Sequence, residues 1–447
     1  MASFVMELAG GREMVNEQRA EELIQQIGAQ KPTSICLSNK SFDNGAATKF
    51  AAYLSELENV TIADISDIIA GRPEDEALRT LNIICSSLKD FPLVEVNLSD
   101  NALGAKGVTE CVDVLLGSAL KRLYVCNNGL SAEAAELLAK ILLRQTENAT
   151  GTCPALQVLH FYNNMAGDGG AKALAEIVVA CSSSLEDFRF SATRSTKAGC
   201  ESIASALASV PNLQKLDLCD NNFNGKTGEL LVEALRTKSM LREINLRDAS
   251  LEGSISDGKM SIFEALVEAT TAGSSIVRLD LSGNEIDAKG AAELARALKY
   301  MDKLEVLLVD DCELGSVGAK HIATAVKELT TLKSLSLCSC EITSKGGELV
   351  AKAVKMLPSF KTLYMDGNQF TEKAIERMQD MLSEAGITLA EMEDNDEEED
   401  EDEDEDDDED DDEDEDGSGD DEASDKTPPP PKPDIDELAA ALEASKI

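Results

Sequence analysis

Residues 120–130 read Leu-Lys-Arg-Leu-Tyr-Val-Cys-Asn-Asn-Gly-Leu, and their spacing returns along most of the chain. Apolar side chains stand at Leu120, Leu123, Val125 and Leu130, with asparagine at Asn128. The first residue of the unit recurs at Val60, Leu93, Leu120, Leu156, Leu185, Leu213, Leu241, Ile276, Leu304, Leu332 and Phe360, most often after 28 residues. A unit this short cannot bury its own apolar face, so neighbouring units must stack on one another.

Within the unit, Leu123 and Val125 alternate as in a short strand, while Asn128 turns the chain and supplies hydrogen bonds to backbone that would otherwise be buried unpaired. The second half has helical spacing, as in Gly170–Ala180 and Lys289–Leu298. Strand-then-helix units stack into a parallel sheet on the concave side with helices outside. This is the leucine-rich-repeat signature. The expected fold is an α/β solenoid, a horseshoe of the ribonuclease-inhibitor type. Three steps are longer, 33 residues after Val60, 36 after Leu120 and 35 after Leu241, and mark departures from the regular stack.

The expected organisation is an N-terminal cap over 1–31, repeats over 32–389, an acidic tail over 390–426, and a Pro-rich spacer with a short helix over 427–447. The cap is read from the amphipathic segment Asn16–Ile27, and the stack is expected to end on a helix near 372–384 with no unit after it. Glu391 to Asp425 holds 28 acidic residues and no Lys or Arg, leaving a net charge of 44 − 28, or minus 16, for the rest. Such a run repels itself and should be solvated and extended. It favours a partner with a basic face and disfavours nucleic acid or anionic membrane. Pro428–Pro433 reads as a stiff spacer, and Asp434–Ala444 as a short helix.

No run of about eighteen apolar residues occurs, and Met1–Arg12 lacks a basic-then-apolar leader, so a soluble, non-secreted chain is expected. The 11 cysteines follow no metal-type spacing. Cys312 and Cys340 stand where their repeats carry asparagine, which suits buried thiols in a reducing compartment.

Little in the chain suggests an active site of its own. It has 2 histidines, His160 in a strand and His321 in a helix, too few for a histidine-based triad or metal site. Gly225-Lys226-Thr227 resembles the end of a phosphate-binding loop, but Asp220 occupies the position of that loop's first glycine. Two features remain. Ala70-Gly71-Arg72-Pro73-Glu74-Asp75-Glu76 replaces a regular turn, and a glycine and proline bracketing Arg72 can fix where its guanidinium is presented. On spacing alone, an exposed arginine paired with nearby carboxylates is the plainer explanation. Asn127 aligns with Asp100 of the preceding unit and is expected to have no required role in the stack; the plain alternative is a solvated polar residue.

Several stretches resemble Ran GTPase-activating proteins, those of plants and algae above all: Leu37–Phe42, Ala70–Leu78, Asn97–Gly104, Leu123–Leu130 and Ser184–Arg189, followed by an acidic tail. The resemblance runs from about Met6 to Leu389. It implies an activator, not itself an enzyme, that binds GTP-loaded Ran and speeds hydrolysis by Ran without inserting an arginine finger. An asparagine matching Asn127 would position Ran's catalytic glutamine, and Arg72 would support the loop or interface. Asp100, Asn101, Asn39 and Asp75 would meet the partner. The chain would need no cofactor of its own, since GTP and Mg²⁺ are held by Ran. A Ran-binding protein is a further partner, and a monomer in the cytoplasm or at the nuclear periphery is expected. Plant members carry an envelope-targeting N-terminal domain, which this sequence is expected to lack. The other reading is a non-catalytic horseshoe, a ribonuclease-inhibitor-like binder or an acidic chaperone of basic proteins.

Overall fold

The computed structural model describes residues 5–8, 11–28, 31–146, 153–251 and 261–395. The acidic run from Asp396, the Pro-rich spacer and the expected C-terminal helix lie outside the described residues. So do 147–152 and 252–260, which fall within two of the three long steps.

Fourteen parallel strands form one sheet, each paired with the strand of the next repeat, from Val5–Glu7 to Thr388–Leu389. Most strands are only three residues long, and their alternation sets the layers. In Arg122–Tyr124 the central Leu123 is buried while its neighbours face the concave surface. In register, Leu123 lies beside Val96 and Leu159, and the ladder continues through Phe188 and Leu216. These side chains form the spine of one core running the length of the solenoid. Truncating Leu123 to alanine there should cost about 2–5 kcal/mol.

Behind the sheet the helices pack side by side. Ala132–Leu142 is typical: Ser131 caps its N-terminus by accepting from the Ala134 N–H, Glu133 and Lys140 oppose the helix dipole, and Ala134, Ala135, Leu138 and Leu142 face the core. The expected horseshoe, with a parallel sheet on its concave face and helices outside, is the observed architecture.

The repeat asparagines stitch successive turns together. Asn128 Oδ1 accepts from the Asn101 N–H at 2.9 Å, its Nδ2 donates to Leu98 O at 3.0 Å, and its own N–H donates to Asn164 Oδ1 at 3.1 Å. Cys340 fills the same role with weaker sulfur bonds to Val309 O and Cys338 O, and burial raises its pKa. Thiols therefore do replace asparagine in the turns.

Both ends of the stack differ from expectation. The N-terminal region holds, besides the helix Glu17–Ile27, a strand Val5–Glu7 that joins the main sheet and a strand Glu13–Val15 paired with Lys40–Phe42. At the other end, Glu372–Ser383 is followed by one more strand, and Asn395 continues the ladder by accepting from the Asn368 N–H. These segments lack the full repeat spacing, so periodicity alone does not reveal them.

Candidate functional site

One backbone requirement shapes the turn after each strand. The residue three positions beyond the strand's third paired residue has positive φ in repeat after repeat: Asn39, Asp67, Asp100, Asn127 and Asn163 lie between 51° and 63°. Gly283 and Gly367 occupy the same position in later repeats, at 68° and 71°. Left-handed backbone costs an ordinary L-residue about 1–2 kcal/mol, and glycine, asparagine and aspartate tolerate it best. Asn127 therefore does have a role in the stack, contrary to the expectation from spacing. Its N–H also donates to Tyr162 O at 2.9 Å, and that of Asp100 to Cys126 O at 3.0 Å.

The backbone explains why a small polar residue stands at 127; the side chain does something further. Asn127 is exposed, its Nδ2 donates to Asp100 Oδ1 at 2.7 Å, and its Oδ1 accepts from Asn163 Nδ2 at 2.9 Å. A carboxylate can only accept, so Asp100 fixes which end of the amide is the donor. One N–H and one lone pair remain for a ligand.

The Arg72 loop is built by a turn in which the Arg72 N–H donates to Ile69 O, with Gly71 at φ 73° supplying the positive φ that such a turn needs. Pro73 then starts the helix Glu74–Leu88, whose acidic first turn suits the positive end of the helix dipole. The guanidinium, however, is not presented outward. Its side chain is 12% exposed. Nη2 donates to Ser41 O at 2.6 Å and Val15 O at 3.3 Å, and Nε donates to Ser41 Oγ at 3.1 Å. Nη1 lies 3.8 Å from Glu76. Arg72 thus ties its loop to the paired strands Glu13–Val15 and Lys40–Phe42.

Arg72, Asp100, Asn101 and Asn127 line one cleft of about 780 Å³ beside the turns. Asn101 is 1% exposed, with its Oδ1 accepting from the Ile68 N–H and its Nδ2 bonded to Ile65 O and Leu98 O. It is a scaffold residue and offers a partner nothing, correcting its expected place at the interface. Asn39 and Asp75 are exposed but lie outside the cleft lining. Two residues that the repeat reading passed over face the cleft. Asp67 occupies the left-handed position two repeats before Asn127, and Arg12 reaches across to it. Alignment of the turns could have found Asp67; nothing in the spacing pointed to Arg12.

Further along the concave face, charges pair between neighbouring strands. His160 Nε2 lies 2.9 Å from Asp187, Arg189 lies 3.1 Å from Asp217 and over the Tyr162 ring, and Lys215 lies 2.7 Å from Glu243. These surface pairs shape specificity more than stability. Among the described residues no group of three or more His, Cys, Asp or Glu could hold a metal ion, and no helix is long and apolar enough to cross a membrane.

Comparison with known proteins agrees with this architecture. Leucine-rich-repeat family models match residues 89–110, 274–295 and 328–351, and 212–233. RAN GTPase-activating protein 2 of Arabidopsis thaliana is 41% identical over 121 residues, 26% of this chain and 22% of that protein. Ran GTPase-activating protein 1 of Saccharomyces cerevisiae is 28% identical over 250 residues, 54% of this chain and 61% of that protein. The ribonuclease inhibitor of Sus scrofa is 30% identical over 238 residues, 52% of this chain and 49% of that protein. The matched region thus spans about a fifth of the Arabidopsis protein and under two thirds of the yeast one.

Proposed function

We propose that this chain, a leucine-rich-repeat protein of the Ran GTPase-activating-protein-like family, binds Ran in its GTP form and accelerates hydrolysis by Ran itself. The observation that carries this reading is the Asn127 amide, exposed at the cleft with both ends fixed by Asp100 and Asn163. Its remaining N–H and lone pair match the oxygen and nitrogen of another primary amide. A glutamine of the partner can therefore be held in one orientation, with its other face toward an attacking water.

Fixing Asn127 beforehand saves roughly 0.5–1.5 kcal/mol of side-chain ordering when the partner arrives. Arg72 supports the loop and does not enter the partner's active site, since its donors are engaged by Ser41 and Val15. No arginine finger is required of it. GTP and Mg²⁺ belong to Ran, and this chain contributes positioning alone. The acidic run steers a basic face of Ran, a Ran-binding protein joins the complex, and the chain works as a monomer in the cytoplasm or at the nuclear periphery.

Single-turnover hydrolysis of GTP on purified Ran tests the proposal. Acceleration by the wild-type chain and its loss on Asn127→Gly, with binding retained, are expected. Binding of Ran without any acceleration would favour the non-catalytic horseshoe instead.

A further inference from the structure

We infer that Arg12, and not Arg72, is the arginine that meets the partner: it offers its guanidinium to a surface carboxylate of the bound GTPase, oriented by Asp67. This rests on the functional reading above.

The two arginines at the cleft are in opposite states. Arg72 is 12% exposed with its guanidinium turned inward onto Ser41, Val15 O and Glu76, whereas Arg12 is 63% exposed. Arg12 Nε donates to Asp67 Oδ2 at 2.9 Å, and its Nη2 donates to the same oxygen. A guanidinium has five N–H donors, so among the described residues three remain without an acceptor. Two of them, one on Nη1 and one on Nη2, form an edge of the planar cation, the shape that takes a carboxylate with two parallel bonds.

Asp67 is built to hold that cation. Its side chain is only 7% exposed, and its Oδ1 is buried with no hydrogen-bond partner among the described residues. A carboxylate so enclosed is costly unless a countercharge stays beside it. Its position is itself fixed, because the backbone is left-handed at φ 52° and the Asp67 N–H donates to Ser99 O at 3.0 Å.

Distance then makes contact with a partner hard to avoid. Asp67 and Asn127 hold the same turn position two strands apart in the sheet order, which at 4.7–4.9 Å per strand is roughly 10 Å. A standard interface covers about 800 Å² on each partner, a patch of roughly 16 Å radius. A globular partner centred on Asn127 therefore covers Arg12. The charged cleft lining is balanced, with Arg12, Arg72 and Lys106 against Asp67, Glu74 and Asp100, so this contact is local recognition, separate from steering by the acidic run.

The test is single-turnover hydrolysis on GTP-loaded Ran over a series of activator concentrations, with the full chain, Arg12→Ala, Arg12→Lys and Asp67→Asn. Arg12→Ala should raise the half-saturating concentration about 5- to 50-fold. The saturated rate should stay unchanged, as expected for a surface carboxylate; a lowered saturated rate would put Arg12 at the nucleotide and overturn the assignment. Arg12→Lys should recover only part of the loss, since it lacks the fork. Asp67→Asn should reproduce the Arg12→Ala effect with Arg12 still present. Thermal melts should show Arg12→Ala lowered, because Asp67 is left enclosed without its countercharge, and Arg12→Lys should restore the melt while recovering only part of the half-saturation. The assignment to Arg12 fails if that variant matches wild type in both half-saturation and rate. It also fails if its melt falls and Arg12→Lys restores melt and activity together. Absence of acceleration by the wild-type chain overturns the functional reading and this inference with it.

Discussion

Asn127 and Asn128 are adjacent, identical in chemistry, and expected to respond oppositely to substitution. Asn128 is fully buried. Replacing it with alanine leaves the Asn101 N–H without the acceptor it has at 2.9 Å, while Leu98 O keeps the Asn101 Nδ2 donor at 3.0 Å. A buried group left unpaired costs about 1–3 kcal/mol, so the loss should be about 1–3 kcal/mol, a sizeable fraction of the 5–15 kcal/mol typical of a folded domain. Asn127→Gly removes only two exposed side-chain bonds, worth little in water, and glycine adopts φ near 51° freely. Its stability should stay within about 1 kcal/mol of wild type. Glycine is therefore a better functional probe at 127 than alanine, which would add the left-handed strain of about 1–2 kcal/mol. The assay is guanidinium unfolding followed by circular dichroism, reading both midpoint and slope because repeat arrays can lose two-state behaviour. An Asn128→Ala shift below about 1 kcal/mol, or an Asn127→Gly loss above about 2 kcal/mol, would refute the division of labour argued from these distances.

Three further outcomes are expected. Arg72→Ala should destabilise the N-terminal end by about 1–3 kcal/mol by stripping donors from Ser41 O and Val15 O, and Arg72→Lys should recover little because lysine lacks the fork; hydrogen exchange around 13–15 and 40–42 reads this directly. Lys238 is buried, and desolvation pulls its pKa down from 10.5 to about 8. Between about pH 8 and 10.5 the unfolded chain then binds more protons than the folded one, so this residue's contribution makes stability rise with pH across that window; Lys238→Met should lose this contribution when unfolding free energies are compared at pH 7.5 and 10. Deleting 396–447 should slow association with Ran at low salt and matter progressively less as salt is raised, measured by stopped-flow mixing.

Much of the fold was legible because periodicity is a local property. The 28-residue spacing placed the inward leucines, the turn asparagines and the helices, and the structure puts Leu123 and Asn128 where that spacing required them. Periodicity does not reveal the terminal strands, because Val5–Glu7 and Thr388–Leu389 pair with the stack without the full repeat spacing. At the cleft, repeat alignment leaves Asn127 as an unexplained polar residue, and only the family resemblance attaches a function to it. Its left-handed backbone and its two flanking bonds became visible once the turns were aligned in space.

What the sequence by itself determined is the solenoid, since a unit of this size has no way to bury its apolar face except against copies of itself. What only the tertiary structure decided is the direction of the long polar side chains. Arg72 turns inward because acceptors 31 and 57 residues away, Ser41 O and Val15 O, meet its guanidinium, while Arg12 turns to the cleft because Asp67 lies across from it, 55 residues on. Such pairings depend on which distant backbone and charge the stack brings within hydrogen-bond reach. No local pattern encodes that.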